Sequence, residues 1–416
     1  MKAHVESYGC AANRAYGASM EDVLCARGFQ LSESSEAADL VVVNTCTVKG
    51  QTEARMVERI RELSRAGKRV IVTGCMATVQ RGLAASLVSP ENVIPLESFQ
   101  SSFGGYTTNA REDLPASLPP LPSKPVGGRA IVPVARGCLG SCTYCIVRLA
   151  VGPLRSYKIA ALSSHVRRMV EAGAREIYLT SQDLATFGHD NGETLLALLE
   201  DISRLPGDFR VRLGMMTPNR VAPFLDELLA ILDGDRRFYR FLHLPLQSGD
   251  DAMLRLMKRG YRSSDFLSLV DRTRRRIPTL NVTTDIIIGF PFEGTEAFRN
   301  TLSLIKEALP NKVNISRFTP RPHTVASLLP QTDRRAINER SREAHGKCKE
   351  ITGLANQRLV GQTIEVIPHR GFEGGYLGRA ANFLPVRIKT DRSLEIHSPV
   401  SACIVEATPS GLVASV

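Results

Sequence analysis

Residues 136–145 read Arg136-Gly-Cys-Leu-Gly-Ser-Cys-Thr-Tyr-Cys145, and this stretch decides how the rest of the chain is read. Cys138, Cys142 and Cys145 stand in the pattern C-x-x-x-C-x-x-C. Thiolates so close in sequence reach one inorganic centre, and soft sulfur selects an iron–sulfur cluster, zinc or copper(I). A closed structural site takes four protein ligands. Three cysteines without an evident fourth leave one metal corner open for a substrate or cofactor. On spacing alone, the alternative is a zinc knuckle that borrows a distant His or Cys.

The bulk numbers frame that centre. A chain of 416 residues suggests two to three domains. Its 53 basic and 42 acidic residues give a net charge of +11, which favours an acidic partner such as nucleic acid. Arginines cluster at Arg272/Arg274/Arg275/Arg276 and Arg334/Arg335/Arg340/Arg342, on helix-like stretches that would otherwise be solvated outer faces. Nine cysteines are few for this length, and those that are grouped argue for metal sites in a reducing compartment, not a disulfide framework. Met1-Lys-Ala-His-Val opens without an apolar signal segment, and no run approaches the ~18 apolar residues of a membrane span. A cytoplasmic enzyme with no membrane partner is predicted.

Upstream of the motif, strands and helices alternate. Strands are predicted at 3–8, 40–44 and 69–73, with helices over 14–27, 52–66 and from about Thr78. This βαβαβ order implies a doubly wound α/β domain with a parallel sheet. Each strand runs into a cysteine: Tyr8-Gly-Cys10, Asn44-Thr-Cys46 and Thr73-Gly-Cys75. Right-handed crossovers bring the carboxyl ends of parallel strands to one edge, where ligands bind. Cys10, Cys46 and Cys75 would converge there and could hold a second open cluster; otherwise they are small packed residues. Cys25, Cys348 and Cys403 share no such pattern and are read as packing residues.

Downstream, Pro115, Pro119, Pro120, Pro122 and Pro125 make a continuous helix improbable, so a linker is predicted. Strands then follow at 131–135, 176–180, 210–213, 240–243, 282–288 and 312–316, with helices between them. Six βα units suggest a partial barrel, whose sites lie at the strand carboxyl ends. The cysteine loop follows the first of these strands. An aspartate inside the apolar strand 282–288 is costly unless paired, so Asp285 is placed in a polar barrel mouth. Residues 336–358 read as a long charged helix. From Gln362 short strands with Gly-rich turns suit a small antiparallel β-barrel.

The motif resembles the radical S-adenosylmethionine signature C-x-x-x-C-x-aromatic-C, with Tyr144 as the aromatic. The N-terminal stretches 7–13, 43–49 and 72–77 resemble the methylthiotransferase family, as does most of the chain. The closest likeness is to the archaeal and eukaryotic branch that modifies threonylcarbamoyladenosine in tRNA. The resemblance implies two 4Fe–4S clusters, on Cys138/Cys142/Cys145 and on Cys10/Cys46/Cys75, and S-adenosyl-L-methionine bound at the open iron of the first. It implies cleavage of that cofactor to a 5′-deoxyadenosyl radical, hydrogen abstraction at carbon 2 of adenosine 37 beside the anticodon, and transfer of a methylthio group. Ser181, Gln182, Asp183, Gln247, Ser248 and Asp285 lie in family-like segments and are expected around the cofactor with Tyr144. Residues 378–386 resemble the TRAM RNA-binding module, where Tyr376 or Phe383 could stack on single-stranded RNA.

The implied organisation is a methylthiotransferase N-terminal domain at 1–105, a linker at 106–128, a radical SAM partial (β/α)6 core at 129–350, and an OB-like TRAM barrel at 355–416. The implied partners are the tRNA anticodon loop and an electron donor such as flavodoxin or ferredoxin. Three departures from the family pattern stand out: Phe292-Glu-Gly-Thr295 after Pro291, His323 within Pro320-Arg-Pro-His-Thr324, and Val151 before Gly152. Isopentenyladenosine tRNA or a ribosomal protein are alternative substrates, and a non-catalytic metal-stabilised RNA-binding protein is an alternative of another class.

Overall fold

Leu40-Val-Val-Val-Asn-Thr45 is buried at every position, which a strand achieves only inside a parallel sheet covered on both faces. A computed structural model, describing residues 1–48, 50–103 and 118–416, shows that arrangement. The chain divides into two compact units, Met1–Phe209 with Thr319–Ser327, and Arg210–Phe318 with Leu328–Val416.

The first unit opens with β1 (Lys2–Ser7), α1 (Ala11–Ala26), β2 (Gln30–Leu31), β3 (Leu40–Thr45), α2 (Gly50–Arg65) and β4 (Arg69–Gly74). The sheet order is β2-β1-β3-β4, and its pairings are parallel. Val41 and Val43 of β3 pack with Val70, Val72 and the α2 stripe Met56, Ile60 and Leu63. Leu40 and Val42 face the other way, onto Tyr16, Met20 and Leu24 of α1. The alternation of one strand thus feeds two helix layers, as a doubly wound sheet requires.

Short helices α3 (Cys75–Val79), α4 (Arg81–Ala85) and α5 (Leu96–Ser102) follow. The unit continues with β5 (Arg129–Pro133), the antiparallel pair β6 (Ala135–Arg136) and β7 (Arg155–Ser156), α6 (Val147–Val151), α7 (Ile159–Glu171), β8 (Glu176–Thr180) and α8 (Leu195–Ser203). β5 and β8 pair in parallel. Residues 106–117 of the expected linker lie outside the described residues. The described part is held rather than loose: the Ser19 hydroxyl donates to Pro120 O at 2.7 Å, and the Tyr157 hydroxyl donates to Pro119 O. Proline carbonyls remain good acceptors even where the ring removes a donor.

In the second unit come β9 (Arg210–Arg212), α9 (Pro218–Val221), α10 (Leu225–Gly234), β10 (Phe241–His243), α11 (Asp251–Leu256), α12 (Ser263–Arg276), β11 (Asn281–Ile288), α13 (Thr295–Ala308), β12 (Lys312–Arg317) and α14 (Arg334–Gln357). β10, β11 and β12 pair in parallel in that order. All six strands anticipated for the central region are present. The tail forms a closed barrel in the order β13-β14-β15-β17-β16, from β13 (Thr363–Phe372), β14 (Gly375–Ala380), β15 (Pro385–Lys389), β16 (Val400–Thr408) and β17 (Gly411–Ser415). One of its pairings, β15 with β17, is parallel, where an all-antiparallel barrel was expected.

Phe383 packs its ring 5.0 Å from those of both Tyr239 and Phe241, beside β10. The Arg379 guanidinium covers it at 4.2 Å. The Tyr376 hydroxyl accepts from Leu394 N at 3.0 Å and its ring joins the barrel core. Both rings are half-buried, and each fills a hydrophobic contact of its own unit.

Candidate active site

Three loops at the carboxyl edge of the N-terminal sheet carry Cys10, Cys46 and Cys75. Cys10 is the N-cap of α1, and Cys75 is the first residue of α3. Both helices therefore begin earlier than the sequence pattern suggested, because the cysteines are helix-start residues rather than loop residues. Buried amides stitch the loops together. The Asn13 amide donates to Tyr8 O at 2.6 Å and Thr45 O at 3.2 Å, while the Asn44 amide donates to Asn13 O at 2.7 Å. Met76 N donates to Thr45 Oγ1 at 3.1 Å, and that hydroxyl donates to Thr73 O. At Gly9, with φ +97°, a Cβ would lie 2.5 Å from Cys46 Cβ and Sγ, so only glycine lets these two loops meet.

Burial pushes the Cys75 thiol up to about 12, with Cys46 and Cys10 adding to the rise. Burial also raises Cys46, and Cys10 reinforces it, while the charge of Arg321 acts the other way. A metal or cluster bound here would displace these protons, because thiols bind as thiolates.

The second trio lies in the same unit. Cys138 N donates to Gly152 O at 3.3 Å, Gly140 N points at Cys138 Sγ at 3.2 Å, and Cys145 N donates to Cys142 O at 3.1 Å. Burial pushes the Cys145 thiol up to about 11, and Cys142 adds to the rise. α6 starts two residues after Cys145 and packs against α3, which starts at Cys75. The two trios are thus carried by neighbouring elements. Both donor sets are sulfur alone, which fits iron–sulfur clusters. Among the described residues no three His, Cys, Asp or Glu groups close on a single metal ion.

Other anticipated residues fall around the loop. Gln182 Oε1 accepts from Gly137 N at 3.0 Å and so fixes the start of the cysteine loop. Asp183 caps a turn through Ala185 N at 3.3 Å. Ser181 is buried and its hydroxyl has no hydrogen-bond partner in the structure, which suits a polar ligand nearby. Tyr144 is half-buried beside Cys145. Residues 319–327 were not anticipated. Ala326 N donates to Thr143 O at 2.9 Å, and Arg321, buried, pairs with Glu53 of α2. This segment touches the elements carrying both trios. Its Pro-Arg-Pro-His-Thr run was the available signal, and His323 in it is exposed with φ +63°.

The second unit carries a separate polar group. Asp285, on β11, receives His243 Nε2 at 2.8 Å on one oxygen and Asn314 Nδ2 at 2.8 Å on the other. Parallel register makes this possible, since Asp285 stands opposite Asn314 and His243 opposite Thr283. The isolated aspartate predicted the network, but its partners needed the register. Gln247 has φ +71°, held by Gln247 N to Asp285 O at 2.7 Å and Ile287 N to Gln247 O at 2.9 Å. Ser248 is turned inward: its hydroxyl meets Thr301 Oγ1 at 3.2 Å and accepts from Asp250 N at 3.2 Å.

Comparison with known proteins follows from this geometry. Residues 2–93 match the model of uncharacterized protein family UPF0004, and residues 132–305 match the radical SAM superfamily. The chain is 39% identical over 380 residues to a probable threonylcarbamoyladenosine tRNA methylthiotransferase of Pyrococcus horikoshii, covering 89% of each chain. It is 31% identical over 359 residues to the human threonylcarbamoyladenosine tRNA methylthiotransferase, covering 82% of this chain and 61% of that one. In fold it is similar to the radical S-adenosylmethionine methyltransferase TsrM of Kitasatospora setae, solved with cobalamin and a [4Fe-4S] cluster. That match has a TM-score of 0.55 and 14% identity, and covers 79% of this chain and 77% of the other.

Proposed function

This chain belongs to the threonylcarbamoyladenosine tRNA methylthiotransferase family of radical SAM proteins, and we propose that it carries out that family's reaction, converting N6-threonylcarbamoyladenosine 37 of tRNA to its 2-methylthio derivative. The observation that carries the reading is the pair of all-cysteine trios on neighbouring elements of one unit. When bound, one 4Fe–4S cluster and S-adenosylmethionine would supply the one-electron chemistry that removes hydrogen from carbon 2 of the adenine, and a second cluster would supply the methylthio group. Cys138, Cys142 and Cys145 would hold the first, and Cys10, Cys46 and Cys75 the second. Each trio leaves a corner for a non-protein ligand.

The chain's own part is positioning. Gln182 fixes the backbone that presents Cys138. The Asn13, Asn44 and Thr45 hydrogen bonds keep three distant loops in register, which would bring Cys10, Cys46 and Cys75 toward a common cluster. The unpartnered Ser181 hydroxyl supports a place for it beside the cofactor, together with Tyr144, Gln182 and Asp183. Asp285, oriented by His243 and Asn314, and Gln247, held by β11, would line the strand edge of their own unit. Ser248 would hold the turn that presents Gln247. In function we assign residues 1–105 to the auxiliary cluster, 106–128 to a linker, 129–350 to the radical core and 355–416 to RNA binding. A flavodoxin- or ferredoxin-like donor would deliver the electron. No helix among the described residues is long and apolar enough to cross a membrane. A tRNA substrate implies the cytoplasm.

Anaerobic reconstitution tests this directly. The protein should bind about eight irons as two clusters and release 5′-deoxyadenosine with dithionite. Nucleoside mass spectrometry of tRNA from a deletion strain should then lack 2-methylthio-threonylcarbamoyladenosine. An unchanged peak would reject the substrate, and loss of 2-methylthio-isopentenyladenosine instead would favour the other tRNA substrate.

A further inference from the structure

Beyond β11 the chain displays an aromatic ring where the backbone disfavours one. Phe292 has φ +64° and is 55% exposed. Bulky side chains are outliers in that region, and glycine would relieve the strain and remove the ring from water together. The loop is nevertheless firmly held. Buried Glu293 accepts from Gly289 N at 2.7 Å, and Glu293 N donates to Phe290 O at 2.9 Å. Arg340 Nη1 donates to Glu293 O at 2.5 Å and meets its carboxylate at 3.3 Å. The Thr332 hydroxyl donates to Phe290 O at 2.9 Å. These bonds fix the backbone on both sides of Phe292, so its exposed conformation is imposed by the fold.

The loop lies at the end of the strand. The loop leaves the carboxyl end of β11, the end where ligands bind in such sheets. Gly289 sits against Ile337, where a Cβ would come within 2.3 Å of Ile337 Cγ1, so the first turns of α14 flank the loop. That stretch exposes Arg334 and Arg342 among the acidic Asp333, Glu339 and Glu343, with Arg335 paired to Glu339 at 2.9 Å and Arg317, at the end of β12, donating to Asn338 Oδ1 at 2.7 Å. An exposed ring on a loop flanked by a helix that carries exposed arginines offers a π face for a base and positive charge for phosphate, the two means by which single-stranded nucleic acid is gripped. In the C-terminal barrel, Phe383 and Tyr376 are half-buried against apolar neighbours, and the Phe372 ring lies under the Arg387 guanidinium at 4.6 Å.

We propose that Phe292 is a stacking platform for an unpaired loop base of the RNA substrate, with the arginines of α14 holding adjacent phosphates. The inference rests on the tRNA reading above. It is tested with the full-length, anaerobically reconstituted protein and a fluorescein-labelled anticodon stem-loop RNA, by anisotropy. F292Y should bind within about twofold of wild type. F292L and F292G should each weaken binding by roughly 5- to 150-fold, the range for loss of one stacked base. F292G should melt no lower than wild type, since it relieves the strain. Affinity for a fully paired RNA duplex should be unchanged across the set. Wild-type affinity in both F292L and F292G would overturn the inference while leaving the tRNA reading intact. Equal losses for duplex and stem-loop would also overturn it. Unchanged RNA binding with an altered sedimentation mass would assign the ring to a protein contact instead. A wild type that ignores the stem-loop would overturn both readings.

Discussion

Two glycines flank the first cysteine ligand loop, and they should respond very differently to the same methyl group. Gly137 has φ +97°, and a Cβ there would lie 1.9 Å from Pro153 O; Gly152 has φ +75° and nothing within 4 Å of its Cβ position. For Gly152→Ala, backbone strain of about 1–3 kcal/mol is offset by about 0.4–1 kcal/mol from a stiffer unfolded chain. The net cost is about 0–2.6 kcal/mol. Gly137→Ala carries the same terms, and the Pro153 carbonyl must also retreat, which strains the bond from Gly137 N to Gln182 Oε1 at 3.0 Å and that from Cys138 N to Gly152 O at 3.3 Å. At about 0.5–1.5 kcal/mol each, these bring the total to about 1–5.6 kcal/mol. The displaced residue is adjacent to Cys138, so the loss should show as metal content. After anaerobic reconstitution, Gly152→Ala should keep about eight irons and Gly137→Ala about four, with the Cys10/Cys46/Cys75 cluster retained. Iron and sulfide assays with electron paramagnetic resonance read this out. Full iron content and a wild-type signal in Gly137→Ala would refute the reasoning.

Three further outcomes follow from the packing. His165 is buried in α7, and desolvation, then Arg168, lower its pKa from 6.5 to about 4; its folded value lies below the unfolded one, so this stability is present above pH 6.5 and lost as pH falls toward 4. The shift of 6.5 − 4 = 2.5 corresponds to about 3 kcal/mol, and urea melts of His165→Leu should show a flatter dependence across that window. Arg340→Met strands buried Glu293, whose carboxyl is already raised by burial, and should cost about 3–5 kcal/mol in urea unfolding, whereas a loss below about 1 kcal/mol would mean that the pair is not buried. Phe383→Ala removes the ring between Tyr239 and Phe241 and should cost about 3 kcal/mol; limited proteolysis should release the C-terminal barrel faster, and unchanged kinetics would show that the contact does not hold it.

By itself, the sequence determined what is local or periodic. C-x-x-x-C-x-x-C names a three-sulfur centre because the ligands are neighbours along the chain. Leu40–Thr45 declares a buried parallel strand because every residue is apolar or small enough to be covered on both faces. The three strand-end cysteines could be paired in thought because βαβ handedness fixes where strand ends go. Tertiary structure decided everything that depends on partners without a sequence period. No spacing links Arg321 to Glu53, Asn13 to Thr45, or His243 to Asp285 and Asn314; register and loop packing join them. Ser248 reads as a cavity residue in its motif, and only the fold supplies its hydroxyl partner, Thr301 of α13. Phe383 reads as a ring available for RNA stacking, and the fold also gives it two aromatic neighbours, Tyr239 and Phe241. A side chain takes the contacts that fold-distant residues offer it, and those offers exist only once the chain has closed on itself.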